Sequence, residues 1–435
     1  MAQPGDVRLI NAGFWDIELH NYLSSSSGMH GYNYTSHPIL PPSLPQTPWE
    51  LEKSDTGLLD YFQSVAFNSL AAFGQDRQEL RDILLRLALS NCSSASNAVL
   101  QATLAYSSLH RYGLKMEAAQ LKLRAIQELE SASQNGIDVV EGIQHMAAGM
   151  ILCYFEIEDI DATSIQWLWY VCGSKHLMEA IDAADHPRAT EFSIIGDWVD
   201  YHVVVGQFSI RHWHKMSLDD VYSQHYSSAL AERPRVCQKK PIEGVASCSH
   251  EILRLLYELF KTTLKPSDPG YHTREYTQSL KSLGERIRGV QTNINSSRGA
   301  PQNDIEPHAT VVELYKLASL IYLERVSSNF SGQSNMISSH AERAFQLLET
   351  IKDGQVPFPL FVLGCEAKTE GRRILILDLI EKAGKISRSR SLAGLHRMVQ
   401  AAWTQDDLVE HDNDLDYVLK LDAIITSNNI IPTFA

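Results

Sequence analysis

From Gly57 onward, hydrophobic side chains recur at three- and four-residue steps, and no segment shows the one-by-one alternation of a strand. A step of three or four keeps side chains on one helical face, whereas a strand needs a period of two. In "DTGLLDYFQSVAFNSLAAF" the step runs through Leu58, Leu59, Phe62, Val65, Ala66, Leu70 and Phe73, behind an Asp–Thr cap. Ala98, Ala102, Ala105 and Leu109 follow it and close on Gly113, a glycine placed as a C-terminal stop. Leu114, Ala118, Leu121, Ala125 and Leu129 continue it, with charge on the opposite face. Small residues at such positions let a neighbouring helix approach closely. "DVVEGIQHMAAGMILCYFEI" and "SIQWLWYVCGSKHLMEAID" come next with short connections, the pattern of helical hairpins. A looser region over 217–248 holds a basic cluster, "ERPRVCQKKP", read as a solvated loop. Helical spacing then resumes to the end, with "PFPLFVLGCEAKTEGRRILILDLIEKAG" entering on prolines and continuing as one long helix.

The spacing predicts an all-α fold of stacked antiparallel helices over 56–435, without the fixed period of a repeat array. Residues 1–55 read as an irregular Pro/Ser-rich arm, from "SSSSG" and "HPILPPSLPQTP". "WDIELHNYL" is a short helix candidate there, and Trp15, Trp49 and Leu51 suggest that the arm packs on the body.

Charge and cysteine usage narrow the function classes. Over 435 residues the net charge is −14, so the chain's field does not favour nucleic acid, and no direct nucleic-acid binding is expected. Cysteines stand at 92, 153, 172, 237, 248 and 365 without a C-x-x-C pair, which fits a reducing compartment and no disulfides. The start "MAQPGDVRLINAGFWDIEL" lacks a signal peptide's basic and apolar regions, and no apolar run reaches the roughly 18 residues of a membrane span. The expected address is the nucleus or the cytosol, with no membrane contact.

The most conspicuous stretch for chemistry is "DWVDYHVVVGQFSIRHWHKM" at 197–216, with three histidines and two tryptophans in an apolar run. On a helix, Trp198, Tyr201, His202, Val205, Phe208, Ser209 and His212 form one strip; Val199, Val203, Gly206, Ile210 and Trp213 form a second. A helix apolar nearly all round belongs in an interior. His212 and His214 diverge by about 200°, and His202 lies ten residues from His212, so none has the i, i+4 spacing of a helical zinc pair. Core histidines are the favoured reading; a ligand or proton-transfer role is the sharper one. Glu156 and Glu158 in "FEIED" are expected just past a helix end, in water, and the adjacent arginines of "GRRIL" are expected to split between an internal acid and solvent. Phosphate loops, dinucleotide fingerprints, nucleophile elbows and zinc-protease motifs are missing, so no cofactor and no metal is expected.

Several stretches occur together in the order of one known domain: "LLDYFQSVAFNSL", "VLQATLAYSSLHR", "WLWYVCGSKHLMEAI", "WVDYHVVVGQFSIRHW", "LYKLASLIYLERV" and "PFPLFVLGCEAKTEGRRIL". The ordered set resembles the fungal-specific regulatory domain that follows binuclear zinc-cluster DNA-binding modules, over roughly 56–430. The resemblance implies a large all-α fold, control of transcription, a nuclear address, and protein partners or a small-molecule effector, with pairing to a second copy left open. The family's factors begin with six cysteines in a compact basic segment, whereas here the first cysteine is Cys92 within the helical body. Three accounts stay open: the DNA-binding part is lost or removed, the chain regulates through protein contacts alone, or the fold has a new task. The last would be a helical enzyme, a cyclase or isomerase of a natural-product pathway. Its interior pocket would be walled by Trp167, Trp169, Tyr201, His202 and Glu156.

Overall fold

The protein is described by a computed structural model covering residues 53–434, apart from 71–72, 74–76, 135–136, 160–164, 184–189, 214–245, 267, 293–306, 330, 333, 352–355, 388–390, 409–415 and 428–430. The arm expectations for 1–52, and those for 217–245, lie outside the described residues. Within them, helices are the only extended element, and no β-strand appears. The first group is α1 (Lys53–Ser64), α2 (Arg77–Leu89), α3 (Ser94–Tyr112), α4 (Met116–Ser133), α5 (Val139–Glu158), α6 (Gln166–Ala183) and α7 (Thr190–His212). The second is α8 (Ala246–Thr262), α9 (Arg274–Gly289), α10 (Pro307–Ser328), α11 (Asn335–Leu348), α12 (Pro357–Cys365), α13 (Glu370–Ser387), α14 (Ser391–Leu408) and α15 (Tyr417–Ser427).

Local chemistry sets the ends. Ser93 caps α3 by accepting from Ser96 N, and Gly113 ends it at φ 75°, a conformation that costs glycine nothing. Asp138 and Glu141 form a reciprocal capping box on α5. The α3–α4 and α5–α6 hairpins pack along their lengths, and α3 also lies on α5. The alanine positions of the first hairpin, Ala98, Ala102, Ala105, Ala118 and Ala125, are fully buried. A side chain at Gly149 would stand 2.9 Å from Ser174 Oγ, so glycine is what lets α5 and α6 approach this closely. In the second group α10 touches α8, α9, α11, α12 and α15. Between the groups lies α7, which meets α2, α5 and α6 on one side and α8 and α15 on the other.

Four expectations need correction. The first apolar run ends as a helix at Ser64 and continues as a short 3-10 turn, Ala66–Ser69. The segment from Pro357 is two helices, not one. Glu366 turns inward to Arg325, Glu366 N and Ala367 N tighten onto Leu363 and Gly364 carbonyls, and Trp403 Nε1 donates to Gly364 O at 2.7 Å. Those partners take the groups that would carry the helix onward. Glu156 and Glu158 belong to α5 and are buried; Lys122 of α4 supplies the countercharge to Glu156 at 2.7 Å. Finally, Arg372 and Arg373 both meet acids. Arg372 pairs with Glu342 over the Phe345 ring, and Arg373 forks onto Asp407 at 2.9 and 2.7 Å over Trp403.

The α12–α14 contact is tight enough to test. A Cβ on Gly364 would lie 2.8 and 2.9 Å from the Val399 methyls. Gly364→Ala should cost about 1–3 kcal/mol by overpacking. The G364A/V399A double variant should be more stable than the sum of the single losses in urea unfolding; strict additivity would show that the contact is not made.

Candidate functional site

No residue of α7 between Glu191 and His212 is fully exposed. Its polar side chains therefore depend on partners inside the protein, which the histidines find and the Nε and Nη2 of Arg211 do not. His202 Nδ1 faces the Trp198 carbonyl at 2.8 Å, and a carbonyl can only accept, so Nδ1 bears the proton. Nε2 then accepts from the Tyr154 hydroxyl of α5 at 3.1 Å. At the end of α7, His212 repeats the arrangement. Its Nδ1 donates to Asp422 of α15 at 2.6 Å, and its Nε2 accepts from Tyr322 of α10 at 2.9 Å. Burial pushes both imidazoles down, from 6.5 to about 4, against the hydrogen bonds to Trp198 O and Asp422, which raise them. Both rings are neutral near pH 7.

The same helix binds the last described residues of the chain. Tyr201 donates to Phe434 O at 2.8 Å and accepts from Tyr315, 3.0 Å away; Ser209 reaches Pro432 O at 2.5 Å. Burial pushes the Tyr201 and Tyr315 hydroxyls up, so both stay protonated. Phe208 lies at the centre of an aromatic cluster. Phe260 and His212 stand 5.0 Å from it, Phe434 at 5.1 Å and Phe358 at 5.2 Å, mostly edge to face.

The residues singled out from sequence fall on three helices. Tyr201 and His202 touch, with ring centroids 5.3 Å apart and perpendicular planes. Glu156 follows Tyr154 by two positions, about 200° round α5. It faces Lys122 while Tyr154 faces His202, so Glu156 and the Tyr201–His202 pair have different neighbours. Trp167 of α6 is buried, with an indole N–H that lacks an acceptor, and Trp169 is half-buried. Sequence reading missed Tyr154, Tyr322, Asp422 and Arg211. The lone acid of "KLDAII" in an apolar helix was the available signal for Asp422. Among the described residues no three His, Cys, Asp or Glu side chains are grouped to hold a metal, and Cys92, Cys153, Cys172 and Cys365 are free thiols. None of the described helices is long and apolar enough to cross a membrane.

Residues 57–427 match the model of the family described as fungal specific transcription factor domain. The chain is similar to the transcription factor iacI of Pestalotiopsis fici, at 33% identity over 386 residues, covering 88% of this chain and 96% of that protein. No solved structure matches it.

The histidine environment gives a pH signature. A base whose folded pKa is depressed stabilises the fold fully above its unfolded pKa and loses that contribution as pH falls toward the folded value. Stability should therefore decline between pH 6.5 and about 4, by at most about 1.4 kcal/mol per pH unit for each histidine. Urea unfolding of His212→Gln at pH 7 and pH 5 should show a smaller difference than the unsubstituted chain. An unchanged difference would mean that His212 does not titrate on unfolding.

Proposed function

The chain belongs to the fungal specific transcription factor domain family, and from that membership we propose a transcription regulator that works without a zinc cluster of its own, through a bound effector or a protein partner. The observation that carries the reading is the match itself, which runs through both helical groups and the α7 junction rather than one local motif. Two facts support the finer part. The six cysteines of this chain are spread from 92 to 365, whereas a binuclear cluster needs its thiolates in one compact segment. The similar factor is covered over 96% of its own length, so almost none of that protein lies outside the match. The nucleus is the address that such a role requires. Of the two modes, the effector is favoured by a buried, unpaired guanidinium edge at the end of α7.

A fluorescent fusion of the full chain should accumulate in nuclei. Deletion of its gene should change the transcripts of a defined gene set several-fold, with the tagged protein recovered in chromatin at those genes. A fusion confined to the cytoplasm, with no transcript altered by deletion, would remove the reading.

A further inference from the structure

Arg211 stands in the last turn of α7, half-buried. Its guanidinium lies against the Tyr322 hydroxyl, close enough to act on it by hydrogen bond and charge. The opposite edge, Nε and Nη2, is shielded from solvent and has no hydrogen-bond partner. These two atoms are the fork with which arginine grips a carboxylate side-on. The chain shows that grip elsewhere: Arg325 holds Glu366 through the same two atoms, at 2.8 and 2.7 Å, in a buried pair. Arg211 presents the fork with no acid in it.

The acids nearest this corner are already engaged. Asp422 accepts from His212 at 2.6 Å and lies 3.9 Å from Lys265. Asp268 accepts from the Lys265 backbone at 2.7 Å. Tyr276 of α9 lies within Arg211's electrostatic reach and accepts from Leu264 N at 3.2 Å, which leaves its own proton to donate. Tyr271, 5.8 Å from Tyr276 between ring centroids, has a buried hydroxyl with no partner. The shielded fork of Arg211 and the orphan hydroxyl of Tyr271, one ring beyond Tyr276, are each costly without a partner, since each forfeits its hydration.

We propose that the Arg211 edge, with Tyr271 and Tyr276 beside it, receives the carboxylate of a small organic acid. The carboxylate oxygens accept from Nε and Nη2, the tyrosine hydroxyls complete its shell, and the tyrosine rings cover the apolar part of the acid. The site deepens the effector reading above and rests on it for its regulatory meaning, though not for its chemistry. No bond is made or broken; the acid binds as its anion.

The test is calorimetry and thermal melting of the purified full chain at fixed ionic strength, with sodium benzoate, benzamide and inorganic phosphate as probes. Benzoate should bind and raise the melting temperature at millimolar concentration, while benzamide, equal in shape and uncharged, should not. Arg211→Lys keeps the charge but loses the fork and should weaken benzoate about tenfold. Should that variant fail to fold, Tyr271→Phe should weaken it several-fold without lowering the melting temperature of the free chain. Equal response to benzoate and benzamide, binding of phosphate in place of benzoate, unchanged affinity in the variants, or no response to any probe overturns the proposal. The two readings fail separately. A nuclear regulator indifferent to benzoate keeps its role and loses this site, whereas benzoate binding by a chain that alters no transcript keeps the site and removes the role.

Discussion

A helix enclosed on every side leans on the rest of the protein for partners to its polar side chains. That constraint fixes the architecture around α7. His202 ties it to α5, His212 to α10 and α15, Tyr201 to α10 and the last residues, and Asp197 to His250 of α8 at 2.6 Å. Aromatic edges fill the space between these bonds. Apolar burial alone would tolerate small rotations of α7. Hydrogen bonds of defined direction do not, because turning the helix strands several buried donors at once. The two helical groups are thus held in one register by a set of directed, largely buried hydrogen bonds rather than by exposed ion pairs.

Much of this is legible in the sequence, and what is not has a physical reason. The repeat of three and four is a local property, so the all-α class, the hairpins and the interior nature of α7 can be read directly. The burial of His202 and His212 follows from the two apolar strips flanking them. Their partners do not follow. Tyr322, Asp422 and the Phe434 carbonyl lie 110, 210 and 233 residues away from the side chains they meet, and periodicity carries no information over that range. The break after Cys365 is hidden for the same reason. Glu366 reads as a good helix residue until Arg325, 41 positions earlier, draws it inward. Glu156 shows the converse: an acid near a helix end looks solvated unless the lysine of the preceding helix is known. Arg211 resembles any basic residue in a last turn, and only the contents of its surroundings set it apart.

Placing a ligand at the end of α7 has a different consequence from placing one on an outer helix. A ligand shifts a protein only by binding two arrangements unequally. Both helical groups lean on α7, so a displacement of its last turn is felt at Tyr322 and Asp422 together. An outer helix such as α4, whose main neighbour is α3, has no such reach.

The grip of α7 on residues 432 and 434 also sets a timetable. The carbonyls that Ser209 and Tyr201 require lie 223 and 233 positions downstream. At ordinary rates of translation that distance takes roughly ten to fifty seconds. During this interval the nascent helix carries its tyrosine, serine and phenylalanine without their final cover, while the first six helices are already free of the ribosome. The junction on which the protein turns is therefore completed only when the last residues have emerged.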